Sequence, residues 1–265
     1  MGTPADRLWQ ALRADAAQLA AAEPLLARLL HACILGHDSL DAALAALLAG
    51  KLATAELPAN ALRDGFVDAL RAEPQIGRLA HADLAAIAER DPAAGSSVNP
   101  FLNHKGFHAL QTHRIAHWYW GCQRRAFAQC LQGRASEVFA VDIHPAAVVG
   151  GGVFIDHGTG VVIGETAVVG DNVSILQGVT LGGTGKETGD RHPKIGRGVL
   201  LSAGAKVLGN IRIGEGAKVG AGSVVLDEVP PHKTVVGVPA RVVGTPRVDQ
   251  PALDMDQHID LDGGG

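Results

Sequence analysis

Cysteine is scarce in this chain: three in 265 residues, Cys33, Cys122 and Cys130, with no CxxC spacing among them. That argues against a disulfide framework or a zinc knuckle and for free thiols in a reducing compartment. Aromatic residues make up only 4%, so the interior has to be filled by aliphatic side chains. Neither sign of charge dominates. The formal net charge of -4 gives no electrostatic reason to expect nucleic acid or an anionic membrane as a partner. No apolar run approaches the ~20 residues needed to cross a bilayer. The opening MGTPADRLW lacks an apolar signal core, and Asp6 stands where a myristoylation motif wants Ser or Thr. The expectation is a cytoplasmic protein with no membrane contact.

What the chain has in quantity is glycine, 34 residues, and an aliphatic ladder from Asp142 to about Pro230. Ile143, Val149 and Ile155 are followed by Ile163, Val169, Ile175 and Leu181, and then by Ile195, Leu201, Val207, Ile213, Val219 and Val225, mostly six positions apart. Six matches neither the helix period nor the strand period, so it describes a repeating supersecondary unit. Short Val/Ile runs between Gly, Asn and Asp suit short strands joined by tight corners. One hexad per face and three faces per coil predict a triangular prism, a parallel β-helix with coils ~4.8 Å apart. The ladder breaks twice: the step from Ile155 to Ile163 is eight, and that from Leu181 to Ile195 is fourteen. Loops on a rigid frame are where reactive groups are expected.

Ahead of the ladder, residues 5 to 90 are rich in Ala and Leu and punctuated by Pro and Gly, which predicts several short helices. Asp38 or Ser39, and Thr54, are candidate caps, and Ala42, Leu44, Leu47, Leu48 and Leu52 form an apolar stripe. After a loop-like DPAAGSSVNP, a long helix is predicted from Gly106 to Gly133. His104, His108, His113 and His117 imitate a metal cluster, but no acidic ligand shares the face of His113 and His117, so ordinary packing is expected there. Beyond the ladder, the pair Pro230 and Pro231 is expected to close the solenoid, and residues 246–265 to form a mobile tail. The predicted organisation is α+β: a helical N-terminal domain over 1–140, followed by a parallel β-helix of hexapeptide repeats over 141–245.

The two breaks carry the candidate chemistry. Asp156 and His157 occupy the first; Arg191 and His192 end the second, after a Gly-rich excursion suited to a flap. A His beside a carboxylate is the simplest general base at neutral pH, and its natural task here is to deprotonate a hydroxyl or amine. Asp142, fifteen residues before His157 and three short of a coil, falls near it by solenoid arithmetic. Arg191 offers a planar fork for a carboxylate and Asp suits an ammonium group, which together describe a site for a zwitterionic amino acid. The bland alternatives stand beside these: His157 as a corner cap, Arg191 and His192 as solvated loop residues, His144 as a turn residue. A three-His zinc centre of the kind that a carbonic anhydrase builds on a similar solenoid lacks its third ligand, since Arg197 stands near the place, so no metal is expected.

The blocks VDIHPAA (141–147), IDHGTG (155–160), GDRHPKIG (189–196) and GVPAR (237–241), with RDPA (90–93) and KGFHALQTHRIAHWYW (105–120), resemble serine O-acetyltransferase, over nearly the whole chain. The resemblance implies a left-handed β-helix and acetyl transfer from acetyl-CoA to L-serine, the first committed step of cysteine synthesis. It implies that His157, paired with Asp142, is the general base for direct attack in a ternary complex, with no permanently bound cofactor. Asp91 and Asp156 would hold the serine ammonium, Arg191 its carboxylate, and His192 would lie in the pocket. Gly183, Ala203 and Ala221 would line the pantetheine track of acetyl-CoA. The resemblance further implies feedback inhibition by cysteine and a homo-oligomer, a trimer or dimer of trimers, with sites between neighbouring prisms. The family's terminal Ile, which docks into O-acetylserine sulfhydrylase, has no counterpart at Gly265, although MDQHI (255–259) looks similar; this weakens the expectation of that partner. A hexapeptide acetyltransferase for homoserine or a sugar, and a purely structural trimer, are the competing readings.

Overall fold

The computed structural model describes residues 4–185 and 188–259. The chain divides into two compact units, Met1–His104 and Lys105–Gly265.

The first unit is helical: α1 (Pro4–Ala22), α2 (Ala27–Leu30), α3 (Leu40–Leu52), α4 (Ala59–Ala72), α5 (Pro74–Arg90) and α6 (Val98–Asn103). Of the two candidates before α3, Ser39 rather than Asp38 is the cap, its hydroxyl accepting the Ala42 N–H at 3.2 Å. Leu44, Leu47, Leu48 and Leu52 of the predicted stripe are buried, while Ala42 is only half-buried. Thr54 is not a helix cap. It accepts the Leu57 N–H at 3.0 Å within the turn before α4, a local bond open to Thr wherever the backbone bends.

The second unit opens with α7 (Lys105–Gly121) and α8 (Arg125–Phe139). One long helix was expected here, and the structure has two. The chain reverses at 121–124, where Gln123 takes a φ of 61° and the Arg124 N–H donates to Tyr119 O at 3.0 Å. Tyr119 then stacks edge-on against Phe127 at 4.7 Å, a contact made across the hairpin rather than along one helix. Both helices pack on the first coil of the solenoid, which is why they belong to this unit rather than to the N-terminal one.

The solenoid has five coils. The first holds β1 (Val141–Ile143), β2 (Val148–Val149) and β3 (Phe154–Ile155); the second β4 (Val161–Ile163), β5 (Val168–Val169) and β6 (Ser174–Ile175). The third holds β7 (Thr180–Gly182), β8 (Lys194–Ile195) and β9 (Leu200–Leu201); the fourth β10 (Lys206–Leu208), β11 (Arg212–Ile213) and β12 (Lys218–Val219). The last contains β13 (Val224–Val225) and ends in β14 (Thr234–Gly237) and β15 (Ala240–Gly244). First strands, second strands and third strands of successive coils pair in parallel, giving three sheets, here called A, B and C. The anchors meet in register: Ile143, Ile163, Leu181, Val207 and Val225 on sheet A, Val149, Val169, Ile195 and Ile213 on B, Ile155, Ile175, Leu201 and Val219 on C. Nearly all are fully buried, each contributing ~1.5–3 kcal/mol of apolar burial. Both irregular steps lie at corners, so the extra residues leave the stack without shifting any pairing.

The prolines do not close the solenoid. Pro230 and Pro231 occupy a corner, where no ladder N–H is needed, and β14 continues the parallel ladder on β12 before β15 turns back antiparallel. The segment after Gly244, expected from its composition to be mobile, runs along sheet C as far as Ile259. Its helix α9 (Pro251–Asp254) lies beside β9; the Ser174 hydroxyl donates to Ala252 O at 2.8 Å, and Lys218 Nζ donates to His258 O. Among the described residues no helix is long and apolar enough to cross a membrane.

Candidate active site

Apart from Asp142, which sits in the middle of β1, the candidate residues of the solenoid fall on two of its corners. At the corner leading from sheet C to sheet A, the eight-residue step displays Asp156 and His157. His157 is exposed and held at φ 56°, a left-handed conformation that a non-Gly residue adopts at a cost. Its side chain makes no hydrogen bond among the described residues. The first turn of α7 braces this corner. Lys105 Nζ donates to Thr159 Oγ1, and Gly106 lies so close that a Cβ there would sit 2.1 Å from Ile155 O. Ala203 and Ala221 occupy the same corner on later coils, stacked through the Gly222 N–H donating to Ala203 O at 2.8 Å.

The corner leading from sheet A to sheet B gathers His144, Glu165, Thr166, Arg191 and His192 from three successive coils. Arg191 Nη2 donates to Glu165 Oε2 at 2.7 Å and its Nη1 to Gly189 O at 3.0 Å; its Nε–H makes no bond among the described residues. Thr166 is the hub. Its Oγ1 accepts the backbone N–H of Arg191 at 3.0 Å and of His192 at 3.1 Å, and lies 2.9 Å from His192 Nδ1. The Thr166 N–H donates to the same Nδ1 at 3.2 Å. Lys194 closes the base of the excursion, donating to Thr166 O at 2.6 Å and His192 O at 3.0 Å and pairing with Asp190. Lys186 and Glu187, within the predicted flap, lie outside the described residues.

Electrostatics bind this corner together. Burial, followed by the neighbouring Arg191 cation, pushes His192 below the ordinary histidine range. Burial does the same to His144, against the pull of Glu165 and Asp142. The Arg191 hydrogen bond holds Glu165 below the usual carboxylate range. The corner therefore sets imidazoles that favour their neutral form beside an Arg191–Glu165 ion pair.

Some expected pairings are absent within one chain. Asp142 Oδ1 accepts the Gln132 side-chain N–H at 2.7 Å, and no hydrogen bond joins Asp142 to His157; its Oδ2 makes no bond among the described residues. Gly183 lies at the A-to-B corner, where a Cβ would sit 3.3 Å from Arg191 O, away from Ala203 and Ala221. Asp91, in the N-terminal unit, accepts the Ala93 N–H at 2.8 Å and lies 3.9 Å from His104 Nε2. His113 is buried with its ring 5.8 Å from that of His117. Among the described residues no three His, Cys, Asp or Glu side chains are grouped so as to hold a metal.

Sequence reasoning missed Gly164, Glu165 and Thr166. The stretch after the anchor Ile163 that contains them looks like any other corner, and only its alignment with Arg191 and His192 one coil later reveals it.

The serine acetyltransferase N-terminal family matches residues 8–112, and the bacterial transferase hexapeptide family of six repeats matches residues 192–227. The serine acetyltransferase of Salmonella typhimurium is 55% identical over 252 residues, 95% of this chain and 92% of that one. The crystal structure of the Vibrio cholerae enzyme superposes with a TM-score of 0.94 at 56% identity, covering 96% of this chain and 98% of that one. Similar structures hold ligands: a serine acetyltransferase complex with cysteine (TM-score 0.94, 50% identity, 96% and 99% covered), the soybean enzyme with serine (0.90, 54%, 92% and 100%) and the Brucella abortus enzyme with coenzyme A (0.89, 51%, 90% and 96%). With identity above half and coverage near the full length on both sides, this chain belongs to the serine acetyltransferase family of hexapeptide-repeat acyltransferases.

Proposed function

We propose that this protein transfers the acetyl group of acetyl-CoA to the hydroxyl of L-serine, giving O-acetylserine and CoA. The observation that carries the reading is the pair of breaks in an otherwise regular stack, one exposing His157 on a braced corner and the other delivering Arg191 and His192, in a chain of this family. His157 takes the serine hydroxyl proton as the oxygen attacks the thioester carbon. The tetrahedral oxyanion then collapses with loss of the C–S bond, and the departing thiolate recovers the proton from the imidazolium. No Cys or Ser acts as an acyl carrier, so transfer is direct. Asp142, whose Oδ2 is uncommitted, orients the imidazole. Asp91 and Asp156 hold the serine ammonium, Arg191 its carboxylate, and the pantetheine arm follows Gly183, Ala203 and Ala221, where small side chains admit close approach.

The division of these residues between two corners supports a trimer in which His157 of one prism faces Arg191 and His192 of the next, with a dimer of trimers as the larger assembly. Cysteine, which replaces only the serine oxygen by sulfur, competes in the same pocket and feeds back on the first step of its own synthesis. The test is thiol release from acetyl-CoA against serine, homoserine, threonine and sugars. Serine-dependent release that cysteine inhibits competitively is the expected result. No serine-dependent release overturns the function, and undiminished rates at millimolar cysteine overturn the regulation.

A further inference from the structure

We propose that Thr166 is a positioning residue that holds His192 as the neutral Nε2–H tautomer, making His192 a hydrogen-bond donor to a substrate oxygen rather than the base of the reaction. The proposal rests on the functional reading above for the identity of the substrate, and on geometry alone for the tautomer. A backbone N–H can only donate. With the Thr166 N–H directed at His192 Nδ1 across 3.2 Å, that nitrogen must present its lone pair and the ring hydrogen must sit on Nε2. The Thr166 hydroxyl agrees: it already accepts two backbone N–H groups, so its own hydrogen is left for Nδ1 at 2.9 Å. Asp190 also draws on that hydroxyl, but the backbone donor fixes the tautomer whichever way the hydroxyl turns.

A proton on both ring nitrogens would set Nδ1–H against the Thr166 N–H, so the charged form is disfavoured where the ring sits, 7% exposed and next to Arg191. The single lone pair of the neutral ring therefore faces the protein backbone. It cannot take a proton from a substrate. Nε2–H, which makes no hydrogen bond among the described residues, is the group His192 has to offer. This separates the two histidines at the breaks: His157 is left as the base, and His192 serves as a neutral donor.

Neutron diffraction from the deuterated, substrate-free full-length protein at neutral pH reads the tautomer directly. Deuterium on Nε2 with none on Nδ1 is expected; deuterium on Nδ1 overturns the proposal whatever the enzyme's substrate. In steady-state kinetics, Thr166→Val keeps the backbone N–H that sets the tautomer but loses the hydroxyl that holds the Arg191 and His192 backbone; it lowers kcat/KM for serine roughly ten- to a hundredfold and Thr166→Ser restores most of it, whereas an unchanged kcat/KM overturns the positioning role. His192→Gln, whose amide donates near the Nε2 position but cannot act as a base, retains at least tenfold more kcat/KM than His192→Ala; equal loss in the two overturns the donor role. If wild-type protein shows no serine-dependent release, the functional reading falls while the neutron result still decides the tautomer.

Discussion

Gly164→Ala tests whether the placement of His192 matters, without removing any polar group. A Cβ at this position would fall 2.0 Å from His192 Cδ2 and 2.1 Å from Nε2, whereas carbon contacts are comfortable only at ~3.5–4.0 Å. The ring must therefore retreat by roughly 1.5 Å. Its anchors to Thr166 are 2.9 and 3.2 Å long, so a shift of that size takes both beyond hydrogen-bonding range. Losing them costs about 1 kcal/mol each, and a displacement of about 1 Å in a catalytic site costs on the order of a hundredfold in rate. The expected outcome is a fall in kcat/KM for serine of roughly 30- to 100-fold, measured by thiol release with serine varied at saturating acetyl-CoA. The second arm is a double-mutant cycle. In a His192→Ala background there is no ring to displace, so the same glycine change should cost about threefold or less, and the two losses should not add. Unaltered kinetics in Gly164→Ala, or a full additional loss in the His192→Ala background, would refute the steric argument.

Four further outcomes follow from the same structure. His157→Ala should lower kcat by roughly 10²- to 10⁴-fold with folding intact by circular dichroism, and a rate near wild type would remove His157 from the mechanism. Ala221→Phe, on an exposed corner, should raise the KM for acetyl-CoA while leaving cysteine binding by calorimetry unchanged; an unchanged KM would move the pantetheine track elsewhere. Gly106→Ala should lower the thermal midpoint, because the new Cβ would meet the Ile155 carbonyl, a backbone atom that cannot rotate away, at a cost of ~1–3 kcal/mol. Gly50→Ala, with nothing within 4 Å, should instead raise it, by the ~0.5–1 kcal/mol that a helix gains from the exchange.

The solenoid was legible because its signal is redundant. Thirteen anchors repeat one hexad, and an error at any of them would be outvoted by its neighbours above and below. The breaks were legible for the same reason, as departures from a pattern already established. Single reversals were not. Nothing in WYWGCQRR distinguishes a helix that continues from one that doubles back, because the apolar residues satisfy a helical stripe and a helix–helix contact equally well. The prolines misled because a corner, like an end, requires no ladder donor. Thr166 was invisible for a different reason. Its importance comes from what lies one coil away, and a corner Thr carries no local mark of the two N–H groups it accepts.

The C-terminal segment along sheet C changes how the solenoid can come apart. In a stack of coils each layer touches only the next, so unravelling can start at the free end and proceed one coil at a time. Here one stretch of chain holds Ser174 on the second coil, lies beside β9 on the third and engages Lys218 on the fourth, like a cord tied across several staves. Peeling the last coil requires the cord to let go, and with it go contacts to layers still intact. The terminal coils are thereby joined into a single cooperative block, whose loss in native-state hydrogen exchange should come as one step rather than as a staircase.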